Sequence, residues 1–122
     1  MLMSPVAGAG AEEAPGQAVE AQPDLAEAVV KLFGDPLRAE IVRLLAREQM
    51  CTCHLVEDTG ARQSTISHHL RVLREAGFVT AEPRGRYTYY RLRPDALSLL
   101  TVGIANLTAQ AHHAQAIRRP CA

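Results

Sequence analysis

The chain is 122 residues long, enough for one domain with one modest core and too short for two. At 48 % apolar and 21 % charged residues it has the make-up of a soluble globular domain, while aromatics at 4 %, with no Trp, argue against an aromatic-lined cofactor cavity. Thirteen Lys and Arg cancel thirteen Asp and Glu, but the signs are segregated: residues 1–35 hold six carboxylates against Lys31 alone, and the remainder is correspondingly basic.

Residues 1–22 are mostly Ala, Gly, Glu, Pro and Gln without periodicity and predict a disordered tail. They lack the basic stretch and apolar core of a secretory signal, and no apolar run approaches the ~18–20 residues of a membrane span. The expected compartment is the reducing cytoplasm, where the three cysteines stay thiols. After Pro23–Asp24, Leu25, Ala28, Val29 and Leu32 share one side of a helix of about ten residues ending near Gly34. Asp35–Pro36 is an N-cap followed by proline at the first helical position. Leu37, Ile41, Leu44 and Leu45 give this second helix its buried stripe, with Arg38, Glu40, Arg43 and Arg47 facing solvent. A short helix from about Cys53 to Thr59 is broken by Gly60. A fourth spans roughly Gln63 to Ala76, with Ile66, Leu70 and Leu73 inward and Gly77 as its stop.

The period then changes. Phe78–Glu82 and Arg86–Leu92 are rich in β-branched and aromatic residues and predict a hairpin turning at Pro83, Arg84 and Gly85. Pro94 starts a last helix reaching about Ile117, along which Leu97, Leu100, Ile104, Leu107 and Ala111 form a seam suited to another helix. Leu99 and Val102 lie off that seam, so the helix offers apolar surface in more than one direction, which favours dimerisation. The predicted architecture is a mainly α winged helix-turn-helix of order α-α-α-α-β-β-α over residues 23–117, followed by a tail at 118–122 and paired as a homodimer through its first and last helices.

The segment Cys53–Ala76 is two helices joined at Thr59–Gly60–Ala61. In a helix-turn-helix the second helix enters the major groove and its first residues meet base edges. Those residues here are Gln63, Ser64, Thr65, Ser67 and His68, with Arg71 one turn on; Gln63 suits adenine, and Arg71 suits guanine or a phosphate. One of Ser64 and Thr65 is also expected to cap the helix. Arg84 and Arg86, at the hairpin tip, reach the adjacent minor groove or backbone. Tyr87, Tyr89 and Tyr90 are read as hairpin packing and His69 as a half-buried histidine rather than a DNA contact.

The run MCTCHLVEDTGARQSTISHHLRVLREAGFVTAEPRGRYTYYRL, preceded by FGDPLRAEIVRLLA, resembles the ArsR/SmtB family of metal-sensing transcriptional repressors over about residues 24–110. The resemblance implies a homodimer that represses its operator until a metal or metalloid binds. It also directs attention to Cys51 and Cys53. On a continuous helix, residues two apart point about 200° from each other and cannot share one ion. With Thr52 as N-cap, however, Cys51 remains extended and the two sulfurs converge, while the helix N-terminus favours thiolate. Two thiolates suit soft acceptors: As(III) or Sb(III) first, with Cd(II) or Pb(II) as the alternative.

The chain departs from the family pattern in three places. The third cysteine of the arsenite-responsive members is replaced by Val56. No cysteine precedes Cys51, so the amino-terminal ligands of the cadmium- and lead-responsive members are missing. The last helix has Asn106, His112 and His113 but no carboxylate after Asp95, which disfavours the family's zinc-type site. Cys121 is the remaining thiol and a candidate third ligand, from the same or the partner subunit; His54 or a small-molecule thiol is the other source. A redox- or persulfide-sensing repressor is the rival reading, and a dithiol oxidoreductase the remote one, since it lacks the βαβ context and C-x-x-C spacing. No Ser/His/Asp set, phosphate loop or carboxylate pair points to catalysis. The expected partners are double-stranded operator DNA, a second copy of the chain and a metal(loid) ion, with no permanent cofactor and no membrane.

Overall fold

In the computed structural model, which describes residues 24–121, five helices are arranged around a small antiparallel sheet. The disorder predicted for residues 1–22 lies outside that span. Helix α1 (Leu25–Phe33) is capped by Asp24, whose carboxylate accepts the Glu27 N–H at 3.1 Å. Helix α2 (Pro36–Leu45) is capped by Asp35, whose Oδ1 accepts the Leu37 and Arg38 N–H groups at 2.9 and 3.0 Å. Pro36 at the first helical position costs no hydrogen bond, since that N–H would have no helical acceptor.

Next comes a two-residue strand, β1 (Met50–Cys51), which the sequence did not predict. Two residues are too few for an alternation signal, and what makes them a strand is a tertiary partner. Met50 pairs with Tyr90 and Cys51 with Tyr89, on β3 (Tyr87–Leu92). Helices α3 (Thr52–Thr59) and α4 (Gln63–Glu75) follow, then β2 (Val79–Arg84), β3 and α5 (Pro94–Ala114). The sheet order β1-β3-β2 leaves β2 at an edge, where Pro83 withholds a hydrogen bond without breaking a central ladder.

The hairpin turn is a correction. Pairing continues to Arg84 opposite Tyr87, so the turn is Gly85–Arg86 and Pro83 and Arg84 belong to the strand. A two-residue hairpin turn requires positive φ at its first central residue, and Gly85 (φ +62°) supplies it where Pro83 cannot. Helix α5 also ends at Ala114, short of Ile117. No helix among the described residues is long and apolar enough to cross a membrane.

The core centres on Leu32, Ile41, Leu55, Ile66, Leu70 and Leu73, one or more from each of α1 to α4, closed by Met50, Phe78 and Val79. Val42 joins it, while Leu37 and Leu44, predicted as fully inward, are half-buried at its margin. From α5 only Ala96, Leu97 and Leu100 pack against this core, and no residue of that helix is buried.

Candidate functional site

The N-cap of α3 is Cys51, not Thr52: Cys51 is extended (φ −88°, ψ 169°) because it is held in β1, and Thr52 is the first helical residue. The consequence for the sulfurs is the same. The chain turns from strand to helix between the two cysteines, their Cα atoms are 5.4 Å apart and their sulfurs lie in bonding contact. The first turn also brings in His54. Its Nδ1 accepts the Cys51 N–H at 3.2 Å and lies 3.3 Å from the Cys51 Sγ. An imidazole nitrogen that accepts an N–H carries no proton, so the ring proton of a neutral His54 is on Nε2. Donor atoms of Cys51, Cys53 and His54 all fall within 4.8 Å of one another, with Cys51 buried, His54 half-buried and Cys53 exposed. Two thiols and one imidazole fit a soft or borderline cation. Cys121 is exposed beyond α5 and does not join this group within the chain.

The cluster touches both α4 and the hairpin, the two parts from which DNA contacts are expected. Leu55 of α3 shares the core with Ile66, Leu70 and Leu73 of α4, so the helix that begins at the thiols supports the helix that follows. On the other side, Cys51 is paired with Tyr89 of β3, and the Tyr89 ring stands 6.0 Å from that of His54 at a tilt of 58°.

Between α3 and α4 the chain turns at Gly60 in the left-handed conformation (φ +75°), which ends α3 and favours glycine. The Thr59 hydroxyl donates to the Leu55 carbonyl at 2.7 Å and accepts the Ala61 N–H at 3.2 Å, tying the turn to α3. Beyond it, α4 faces outward with Gln63, Ser64, His68 and Arg71 exposed and Thr65 and Ser67 half-buried. Neither Ser64 nor Thr65 caps the helix: Arg62 occupies the N-cap and no side chain bonds there. The reason is that both hydroxyls already lie inside the helix, past the position from which a side chain reaches back. Arg84 and Arg86 are exposed on the hairpin, Arg84 paired with Glu82 at 3.2 Å. Tyr87 is exposed, whereas Tyr90 packs on the core.

Sequence reasoning missed one polar cluster. Arg38, assigned to the solvent side of α2, folds inward: its guanidinium donates to the carbonyls of Lys31 and Val30 near the end of α1, and to Nδ1 of His69 at 3.1 Å. Arginine can only donate, so Nδ1 accepts, and Nε2 is left to face Asp35 Oδ1 at 3.5 Å. His69, only 6 % exposed, is thus fully buried rather than half-buried. Burial lowers its proton affinity below that of free imidazole, Asp35 opposes that shift, and Arg38 adds to it. Asp35 is itself held below the usual carboxylate range, chiefly by the Arg38 backbone N–H. The one sequence clue was the pairing of a buried-face histidine with an Asp-Pro-x-Arg start, and it names no partner.

Along α1 and α5 a broad apolar surface is uncovered: Val30 and Phe33 on α1, and Leu99, Val102, Ile104 and Leu107 on α5, are each about half exposed or more. A groove of about 490 Å³ between the two helices is lined by Leu32, Phe33, Leu97, Leu100 and Ile104.

The family of bacterial regulatory proteins called arsR matches residues 35–81. An uncharacterized HTH-type transcriptional regulator of Methanocaldococcus jannaschii is 41 % identical over 68 residues, covering 55 % of this chain and 76 % of that protein. The arsenic resistance transcriptional regulator ArsR1 of Pseudomonas putida is also 41 % identical over 68 residues, but the match spans only 53 % of its length and 55 % of this chain. Among solved structures, a possible transcriptional regulator for arsenical resistance superposes with a TM-score of 0.58 at 36 % identity, over 70 % of this chain and 84 % of that one.

Proposed function

Since the chain belongs to the arsR family and is a transcriptional regulator, we propose that it is a cytoplasmic, homodimeric repressor that holds operator DNA when its thiols are free and releases it on capturing a soft metal(loid). Cys51 and Cys53 are the capturing thiolates, with As(III) or Sb(III) the leading inducer and Cd(II) or Pb(II) the alternative. The observation that carries this reading is the convergence of the two sulfurs at the amino end of α3. The names of relatives concerned with arsenic resistance support it.

In the dimer, the two α4 helices enter successive major grooves, ~34 Å apart on one face of the DNA. Gln63, Ser64, Thr65, Ser67, His68 and Arg71 meet the groove, while Arg84 and Arg86 meet the backbone or the minor groove beside it. The uncovered surface of α1 and α5 is where the second copy packs. A bound metal(loid) supplies strong bonds to both sulfurs at once. On the protein's side, Cys51 and Cys53 must then hold a spacing that differs from their free one, and the start of α3 carries that change to α4. A 100-fold loss of DNA affinity requires only about 2.7 kcal/mol of difference between the two conformers.

The test is fluorescence anisotropy on a labelled duplex selected from random DNA by the reduced protein. Arsenite, antimonite or Cd(II) should release it, and the Cys51→Ser, Cys53→Ser double variant should bind the duplex but no longer respond. Identical binding with and without every ion, in the unmodified chain, overturns the proposal.

The contact between the sulfurs favours a second reading. A peroxide can oxidise the two thiols to a disulfide, each sulfur losing a proton and one electron and the peroxide leaving as two waters. Release of DNA by peroxide but not by arsenite, with the disulfide located by mass spectrometry, would select this oxidative version.

A further inference from the structure

We propose that Arg38 is a positioning residue for DNA recognition: through His69 it locks the rotation of α4 against the last turn of α1, and so sets how the α4 helices of two subunits stand relative to each other. The proposal rests on the reading of α4 as the groove-entering helix of a dimer packed through α1 and α5.

Three observations carry it. The first is reach. The Arg38 guanidinium donates to the Lys31 carbonyl through Nε, to the Val30 carbonyl at 3.2 Å and to His69 Nδ1 at 3.1 Å, so one planar group from α2 spans α1 and α4. The second is what lies at each end. The turn of α1 that it grips carries Val30 and Phe33, 58 % and 51 % exposed, within the surface assigned to the second copy. On α4, Arg71 stands about 200° round the helix from His69 and is exposed, on the side assigned to the groove. The third is that the ring is fixed on both sides: Nε2 faces Asp35 Oδ1 at 3.5 Å, and Asp35 is itself held by the Leu37 and Arg38 N–H groups.

Apolar packing alone does not set this rotation. Ala28 and Leu32 of α1 share the core with Leu70 and Leu73 of α4, but burial is non-directional, whereas the guanidinium bonds have preferred angles. At a side-chain radius of roughly 5–6 Å, a helix rotation of about 10° moves a tip by about 1 Å, enough to take a base or phosphate contact out of range. One subunit on one half-site absorbs such an error by shifting bodily. Two subunits joined by a twofold axis cannot both shift, so the error changes the distance between their groove contacts. Arg93 donates to the Gly77 carbonyl at 3.2 Å, but that carbonyl lies past the end of α4, so this link ties the following chain without fixing the helix's rotation.

The experiment measures anisotropy of reduced full-length protein on three kinds of duplex: the one selected from random DNA, the same half-sites moved apart or together by one or two base pairs, and one with a single half-site scrambled. The variants are Arg38→Met, Arg38→Lys and the Arg38→Met, His69→Leu pair. Lysine keeps the charge but cannot fork between three acceptors. The pair removes donor and acceptor together, leaving no unpaired buried ring nitrogen, and so guards against simple failure to fold; circular dichroism and sedimentation confirm helical content and dimer. The expected result is binding to the single half-site within about 2-fold of the unmodified chain, a loss of roughly 10-fold on the selected duplex, and equal affinity for the selected and respaced duplexes. Variants that keep the unmodified chain's spacing preference overturn the proposal. So do variants that lose single and paired half-sites to the same degree, which would make the bridge a stabilising contact only. If the unmodified chain binds no duplex, or binds one half-site as tightly as two, the dimeric DNA reading itself falls and this proposal with it.

Discussion

His69 sits on α4 but is turned inward, and its two ring nitrogens join that helix to α2: Nδ1 to the Arg38 guanidinium and Nε2 to the Asp35 carboxylate. Arg38 in turn holds carbonyls at the end of α1. Burial keeps this imidazole neutral at a pH where an unfolded one has begun to charge. The unfolded chain then binds a proton that the folded chain does not, so stability is full above the ordinary imidazole value and falls as pH drops through it, levelling off below the folded value. Asp35, being held low, adds its own loss only in the more acidic range below the ordinary carboxylate value. Urea midpoints measured from pH 8 to pH 5 should therefore decline in the unmodified chain and decline less in His69→Gln; equal slopes in the two chains would refute the role of His69. This cluster was invisible in the sequence because helical periodicity reports which side a residue occupies, and a long arginine on the margin of a buried face can reach around it. Cys51 and Cys53 were legible as a pair, since their spacing and the helix start between them were both local, even though the capping residue was displaced by one.

Helix α5 behaves differently from the rest of the fold. Its seam of Leu97, Leu100, Ile104, Leu107 and Ala111 is regular in sequence, but only the first two touch the chain's own core. Ile104 and Leu107 stay near half exposed, as do Leu99 and Val102 off the seam. Exposed apolar side chains on two adjacent helices are where the proposed second copy would pack; a stable pair usually covers roughly 600–1,000 Å² on each side. An Ile104→Glu, Leu107→Glu variant places two carboxylates in that surface without removing a core residue. Sedimentation should show a monomer with unchanged helical content, and affinity for a two-half-site duplex should drop at least 100-fold; a dimer that persists would move the interface elsewhere. The same contrast explains the hairpin. Its existence followed from composition, whereas its turn was displaced by one or two residues, since strand pairing extends until a residue able to adopt positive φ ends it.

Across the whole molecule the charge is zero only as a sum. The segment that follows the reading turn, residues 62–93, has seven arginines against Glu75 and Glu82, and Arg62, Arg71, Arg74, Arg84 and Arg86 within it are all exposed. Residues 1–22 contribute Glu12, Glu13 and Glu20 and no cation. Deleting them removes three negative charges, which should quicken association with DNA at low ionic strength, with the difference shrinking as salt rises and the Debye length contracts. Stopped-flow association at two salt concentrations measures this, and equal rates at both would show that the acidic segment does not oppose the basic one.

The order of helices, the helix-turn-helix at Thr59–Ala61 and the identity of the two converging thiols could all be read from residues along the chain. Each depends on interactions within about a turn or a strand's length: caps, helix stops, apolar spacing and a left-handed glycine. Strand β1, the inward turn of Arg38 onto His69 and the placing of His54 and Tyr89 around Cys51 depend instead on groups distant in sequence. Pairing between residues 50 and 90, and a guanidinium reaching from position 38 to position 69, leave no periodic trace, because a hydrogen bond needs only one suitable partner at the right distance, wherever folding brings it from.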